Sequence, residues 1–479
     1  MRRLGEGGVL ASVALGGLLT LLLQKSFIVQ SDEGYTLNAA WQVWNGLKMY
    51  DDFRLFVGPG SAYAVLLAWK LAGGPSFLAA RVLSLLLSVS SIAAVHLILA
   101  RRGVRGAALA LALVAWVIAS AQYVLLNHNA FSSDAATWML LALLRAQDRE
   151  RDGGRARLVD HALVGVAGGA VLLFVQTKGL LLIGAAAVFT LVAVGGRRGL
   201  RPAAALMAGA SLVVAPLLLV WRPSVLVREW FVVPLTGGYL GHTGASPALA
   251  IACGVVAAAM AAIAFHLRDR RLGAIAVVQG ALVVGMLHNT EPHHVAVNAF
   301  PLLVFVPLAL QRRAAAAGRP PPAEPAKVPP ASLITALVVG AFAILLTLPA
   351  GRPMWRASTL YVDFIRRAPR NIFPQPRVAA ARAIYAGPFL PGLYFALDKP
   401  NPYFVSETVV CNADCRARLL AQIEAIKPEL AFLDYDMIGH LGYDANNVVD
   451  DYFRERYVAC ANSEYDGLIV RAVDPRWCP

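Results

Sequence analysis

The sequence predicts a polytopic α-helical membrane protein, with about eleven transmembrane helices followed by a small C-terminal α/β domain. Three observations carry this: the composition is too apolar for a soluble fold, many uncharged runs approach bilayer length, and arginines gather in every second connection. Of 479 residues, 58% are hydrophobic and 15% charged, and mean hydropathy is +0.59; soluble domains are about a quarter charged. In hydrocarbon each backbone N–H and C=O must be satisfied within its own segment, so such runs form helices. They lack the period-2 alternation of a lipid-facing barrel strand. The net charge of +14 comes mostly from arginine clusters between spans. With no aromatic-interleaved basic groove, no nucleic-acid partner is expected.

The spans are expected at 8–28, 78–100, 106–124, 132–146, 159–176, 180–195, 203–221, 248–266, 272–288, 295–310 and 331–350. The first follows Met1-Arg2-Arg3. No small-x-small site precedes the acidic segment from Ser31, and more spans follow, so it reads as an uncleaved helix. With the N-terminus cytoplasmic, the inner connections are Arg101–Arg105, Arg145–Arg157, Arg197–Arg201, His266–Arg271 and Gln311–Pro330, each with two or more Arg. The opposite connections, Gln30–Phe77, Leu125–Phe131, Gln176–Gly179, Arg222–Pro247 and Asn289–His294, are poor in Arg for their length. The bias runs one way on every loop, which predicts a multi-pass protein of the cytoplasmic membrane in this orientation. Gly318–Pro330, rich in Pro and Ala, reads as a flexible inner linker.

The chain divides into residues 1–350, which span the membrane, and 351–479, where acids, Tyr, Asn and Cys appear and no run is long enough to cross. Ala383–Ala386, Leu430–Leu433 and Gly467–Val470 read as strands and Arg416–Ile426 as an amphipathic helix. An odd number of crossings places this domain outside. Four of the five cysteines, Cys411, Cys415, Cys460 and Cys478, lie in it, and Cys253 lies in a span. An even set in an oxidising compartment reads as two disulfides. Proximity favours Cys411–Cys415 and Cys460–Cys478, although four cysteines permit three pairings. A C-x3-C pair can also bind metal or act in redox chemistry, but no His cluster or thioredoxin-like unit accompanies it.

The candidate chemistry starts in the first outer loop. Asp32 and Glu33 follow the first span directly, Tyr35–Leu47 is an amphipathic helix rich in Trp and Tyr, and Pro59–Leu71 is too short to span comfortably. Both helices are expected to lean on the membrane interface. Acids at a helix start often do no more than cap it. Here other polar groups share the predicted depth: His128, Asp134, Lys178, His242, Glu291, His293 and His294. Ionisable groups near hydrocarbon are costly unless they face a protein cavity and work there.

The motifs D-E-G-Y-x-L-N-A-A, D-D-F and G-P-G-S-A-Y resemble the first loop of GT-C glycosyltransferases. The likeness is closest to bacterial relatives of protein O-mannosyltransferases and of the aminoarabinose transferase that modifies lipid A. S-S-D-A-A-T-W-M-L-L-A-L-L, Q-T-K-G-L-L-L-I and H-H-V-A-V-N-A-F-P-L-L-V-F are similar, in order, to later segments of that family. A-I-Y-A-G-P-F-L-P-G-L-Y-F-A-L-D-K-P and K-P-E-L-A-F-L-D resemble its outer domain. The chain departs from the family in having fewer spans and in carrying H-H where H-Y is usual. The resemblance implies a membrane catalytic domain that moves a sugar from a polyprenyl-phosphate donor to an envelope acceptor, usually with inversion. It implies Asp32 as general base, with Glu33 as its neighbour and substitute. By position it also implies that Asp134, Lys178, His293 and His294 contact substrate, with His128 and Tyr35 beside them. His128, Asp134 and the acidic pair are the residues a divalent metal would use, but no short ligand spacing demands one, and no other cofactor is implied. Each group also has a plain structural reading: Lys178 snorkelling to headgroups, the His pair as polar loop, Asp134 as a helix start.

Two other classes compete. A flippase of lipid-linked saccharides would show internal repeats and broken helices in matching halves, and neither is found in the sequence. A non-catalytic scaffold with a glycan-binding outer domain would not require carboxylates in the first loop.

Overall fold

A computed structural model describes residues 2–23, 32–120, 126–151, 158–233, 246–287, 290–317, 376–408, 411–435, 443–460 and 468–478. The predicted span 331–350 and His242 lie outside these. The chain begins with α1 (Arg2–Leu23), the loop helices α2 (Asp32–Trp44) and α3 (Gly60–Leu71), then α4 (Phe77–Ala100), α5 (Gly106–Ser120) and α6 (His128–Arg151). It continues with α7 (Leu158–Phe174), α8 (Gln176–Val194), α9 (Leu200–Val214), α10 (Pro247–His266), α11 (Arg270–Met286), α12 (Pro292–Val297) and α13 (Phe300–Ala316). Among the described residues, α4, α8 and α10 are long and apolar enough to cross a membrane on their own, and α5 and α7 are shorter apolar helices. Local chemistry sets their starts. Ser76 accepts the Ala79 N–H ahead of α4, Ser246 accepts the Leu249 N–H ahead of α10, and Asp269 accepts from Arg271 and Leu272 ahead of α11.

Ten predicted spans each meet a helix, with boundaries that differ for physical reasons. The span 203–221 breaks after Val214, because Pro216 has no N–H to continue the ladder. The span 295–310 divides into α12 and α13 across Asn298-Ala299. Gln176–Gly179, expected as a connection, is the first turn of α8, so Lys178 belongs to a helix. The chain reverses from α7 to α8 through Val175 alone. Only glycine fits at 179, since a Cβ there would fall inside the backbone of Leu172.

The first loop differs more. α2 does not lie against lipid: Glu33 through Gln42 are all buried. Its cover is the C-terminal segment from Lys399 to Ser406. Trp41 Nε1 donates to the Lys399 carbonyl at 2.7 Å, Gln42 Nε2 to the Asn401 and Tyr403 carbonyls at 3.2 Å, and Asn38 Nδ2 to Ser406 Oγ at 2.7 Å. Phe395 stacks on Trp69 of α3, 5.2 Å between centroids. α3 keeps Tyr63, Leu67 and Leu71 exposed, as an interfacial helix would. The Gly58-Pro59-Gly60 turn rests on the end of α7, where a Cβ on Gly58 would collide with the Leu173 carbonyl.

The C-terminal sheet consists of β1 (Ile384–Gly387), β2 (Leu430–Asp434), β3 (Val458–Ala459) and β4 (Leu468–Ala472), in the order β1-β2-β4-β3. β1 and β2 are parallel and joined through α14 (Ala413–Ile426), as a parallel pair requires, and β4 is antiparallel to β2 with Phe432 opposite Val470. α15 (Val448–Arg456) joins β2 to β3. Each expected strand and the expected helix overlap an observed one. Cys411–Cys415 and Cys460–Cys478 are disulfides, the pairing proximity favours, and Cys253 is free and buried. Cys460–Cys478 closes a separation of 18 residues. By chain entropy, replacing both cysteines with Ala should cost about 3 kcal/mol. Calorimetry of wild type and C460A/C478A checks this, and an unchanged C-terminal transition would refute it.

Candidate functional site

The starts of α2, α6, α8 and α12 bring the predicted polar residues together. Asp32, in the first turn of α2, accepts from Asn127 Nδ2 at 2.7 Å, and Asn127 Oδ1 accepts the Asn129 N–H at 2.5 Å. Asn129 is the hub. Its Oδ1 accepts from Lys178 Nζ at 3.2 Å, while its Nδ2 lies 3.1 Å from His128 Nε2 and 3.5 Å from His294 Nε2. Lys178 Nζ also donates to Ser132 Oγ at 3.1 Å. Lys178 is 3% exposed, so its stem is not snorkelling to headgroups. Among the described residues no carboxylate lies within ion-pair distance of it. Tyr35 packs edge-on to His128, with ring centroids 6.3 Å apart, and its hydroxyl accepts the Phe56 N–H at 2.9 Å.

Glu291 accepts from His293 Nε2 at 2.7 Å and lies 3.6 Å from His294 Nδ1. Burial would raise the Glu291 carboxyl, but the two histidine hydrogen bonds and charges outweigh it and hold the group well below the usual carboxylate range. Burial pushes His294 down to about 4 against the opposing pull of Glu291, which leaves its imidazole neutral near pH 7. The ligand atoms of Glu291, His293 and His294 lie within 4.8 Å of one another. Two imidazoles and a carboxylate fit a zinc-like ion better than Ca²⁺ or Mg²⁺.

Two predicted residues point elsewhere. Glu33 sits about 100° around α2 from Asp32 and is bound at both oxygens by Arg81 of α4, at 2.9 and 2.8 Å, with both side chains buried. The guanidinium also lies 4.5 Å from the Phe77 ring centroid. Asp134 hydrogen-bonds Ser91 of α4, whose hydroxyl accepts from Trp116 at 3.0 Å. With both acids engaged by α4, the combination of His128, Asp134 and the acidic pair is not assembled as one metal site.

Two charged residues escaped the sequence analysis, besides the amides Asn127 and Asn129. One is Arg81, hidden by its apolar helix. The other is Glu407, in Tyr403-Phe404-Val405-Ser406-Glu407-Thr408, where a single acid interrupts an apolar run. This segment runs against α2, with Tyr403 opposite Gln42 and Ser406 opposite Asn38, so Glu407 approaches the first turn of α2. Glu407 is buried, and burial first and the Asp32 charge second hold it well above the usual carboxylate range. An acid raised on folding stabilises the fold fully below about pH 4.5, its ordinary value, and loses that stabilisation as pH rises. Wild type should therefore melt lower as pH rises above 5, and Glu407→Gln should flatten that slope. A scan of Tm against pH checks this; parallel curves would contradict it.

No protein-family model matches the chain, and neither does any curated protein. Solved structures do match. ArnT from Cupriavidus metallidurans bound to undecaprenyl phosphate superposes with a TM-score of 0.60 at 15% identity, over 99% of both chains. The same protein in the apo state gives 0.59. The arabinofuranosyltransferase AftD from Mycobacteria gives 0.53 at 18% identity, over 99% of this chain and 40% of AftD. At these identities the likeness concerns architecture, and it covers the chain from end to end. The chain has the fold of the GT-C glycosyltransferases.

Proposed function

We propose that this protein transfers a sugar from a polyprenyl-phosphate carrier to an envelope acceptor at the outer face of the cytoplasmic membrane. The observation that carries this is Lys178, a buried ammonium held by the neutral oxygens of Asn129 and Ser132 and linked through Asn129 and Asn127 to Asp32. A buried cation without an anionic partner is costly, and a phosphate leaving group supplies the missing charge. A carboxylate on the far side of the same network supplies a base.

In this mechanism Asp32 takes the proton of the acceptor hydroxyl as its oxygen attacks the anomeric carbon. The bond from that carbon to the phosphate oxygen breaks, and polyprenyl phosphate leaves with the electron pair. Attack opposite the leaving group inverts the anomeric centre. Lys178 and the neighbouring Asn129 amide stabilise the phosphate as charge builds on it. Asn127 orients Asp32. Glu33 is a positioning residue, since its pairing with Arg81 fixes the phase of α2 and with it the direction of Asp32. His128, Tyr35 and His294 line the side of the network where the sugar would sit. Glu291, His293 and His294 would hold a divalent ion if the reaction uses one, which would supply further charge stabilisation. Protonated Glu407 places a hydrogen-bond donor of the outer domain opposite the base. An eleven-span topology with an inner N-terminus, as the arginine bias of the loops predicts, would put all of these groups in the outer compartment.

Mass spectrometry of envelope lipids and glycans from cells with and without the gene tests the reading. Loss of the gene should cause one polyprenyl-phosphate sugar to accumulate and one envelope modification to vanish. Identical profiles would sink the proposal.

A further inference from the structure

A polar cavity lies about one helix length from Asp32. α4 and α6 each run 24 residues, about 36 Å at 1.5 Å per residue. Both start at the outer network, α4 through Arg81 and α6 through His128. Their far ends carry Arg102 and Asp148. There they meet the start of α11 and the end of α13, around a cavity of about 180 Å³ lined by Arg102, Asp269, Arg271, Gln311 and Arg312, with Leu272 and Leu308 among its apolar walls.

Three arginines face two carboxylates in this place. Asp148 bridges Arg102 at 2.7 Å and Arg271 at 2.5 Å, and Asp269 lies 3.3 Å from Arg312. Asp269 is further occupied by the backbone N–H groups of Arg271 and Leu272. One positive charge is therefore left over, and Arg101, Arg268, Arg270 and Arg313 are chain neighbours of these lining residues. The Arg102 side chain is 4% exposed. Its Nη1 donates to the Ile98 carbonyl at 2.8 Å, while its Nε has no hydrogen-bond partner among the described residues. A buried N–H without an acceptor is destabilising by about 1–3 kcal/mol.

We infer that this cavity is an anion site that takes a phosphate group, presented by an anionic phospholipid or free in solution. Guanidinium groups match phosphate oxygens in pairs. The leucine wall at the end of a membrane bundle suits the glycerol and upper chains of a lipid, and basic pockets between transmembrane helices hold anionic headgroups. The site is separate from the proposed catalytic network and does not rest on that reading.

Native mass spectrometry of the full chain, purified in a neutral maltoside detergent, tests this. Phosphatidylglycerol should be retained in preference to phosphatidylcholine of the same chains. Arg312→Gln, in an arginine 44% exposed and expected to fold, should weaken that retention about fivefold, and Arg312→Lys should keep most of it. R271Q/R312Q should erase the preference. Competition by millimolar inorganic phosphate would identify free phosphate as a ligand of the same site, and retention indifferent to phosphate would identify the lipid. Equal retention of both lipids with no rise in Tm on adding phosphate would overturn the inference, and so would an undiminished preference in a folded R271Q/R312Q.

Discussion

Asp32→Asn is expected to lower sugar transfer by about 10²–10⁴-fold, the range that general-base catalysis supplies. An asparagine at this position keeps the volume and, with its amide oxygen toward Asn127, keeps the 2.7 Å hydrogen bond of the wild type. Folding should be unaffected, so the variant isolates the proton transfer. The measurement is single-turnover transfer with saturating donor, alongside the melting temperature. A folded variant at wild-type rate would remove Asp32 from the mechanism. Glu33→Gln is a useful contrast. It breaks a buried pair with Arg81, and breaking such a pair is destabilising by about 3–5 kcal/mol. Its first readout should therefore be stability.

Lys178→Gln is the second large effect. The glutamine can still hydrogen-bond Asn129 and Ser132, but the positive charge at the proposed phosphate position is gone. Loss of one such group should lower kcat by about 10²–10³-fold. Removing an isolated buried charge should also make the free protein as stable as wild type or more so. A charge that works in catalysis and strains the empty fold gives this opposite pair of effects. Unchanged turnover with lowered stability would make Lys178 a structural residue.

How much of this was legible in the sequence depends on which physical signal each residue carried. Helices were readable because hydrocarbon length and backbone satisfaction leave a run such as Phe77–Ala100 few alternatives. The small C-terminal sheet was readable from short apolar strands between turn residues, as at Leu430–Asp434. The burial of α2 was not. Trp41 and Trp44 make the same amphipathic pattern whether the face meets lipid or the Lys399–Ser406 segment, which lies more than 350 residues away. Asp32 and Glu33 looked like a pair because they adjoin in sequence, although helical phase already turns one from the other. Asp32, His128, Lys178, His293 and His294 were grouped by a shared expected depth, and the starts of α2, α6, α8 and α12 bring them near one another. Asn127 and Asn129, the links of the network, passed unnoticed because an amide near a helix start is ordinary there. Glu407 needed the docking of two regions to gain meaning, and no local pattern encodes that docking.

The central claim is that the Asp32–Lys178 network breaks a bond between a sugar and polyprenyl phosphate. The most direct measurement uses polyprenyl-phosphate lipids extracted from cells lacking the gene, incubated with the purified protein and an envelope lipid and glycan extract, with products followed by mass spectrometry. Wild type is predicted to release free polyprenyl phosphate with matching growth of one acceptor species, and Asp32→Asn to release almost none. Movement of the intact lipid-linked sugar across a vesicle bilayer, with no polyprenyl phosphate released, would contradict the account and make the protein a carrier.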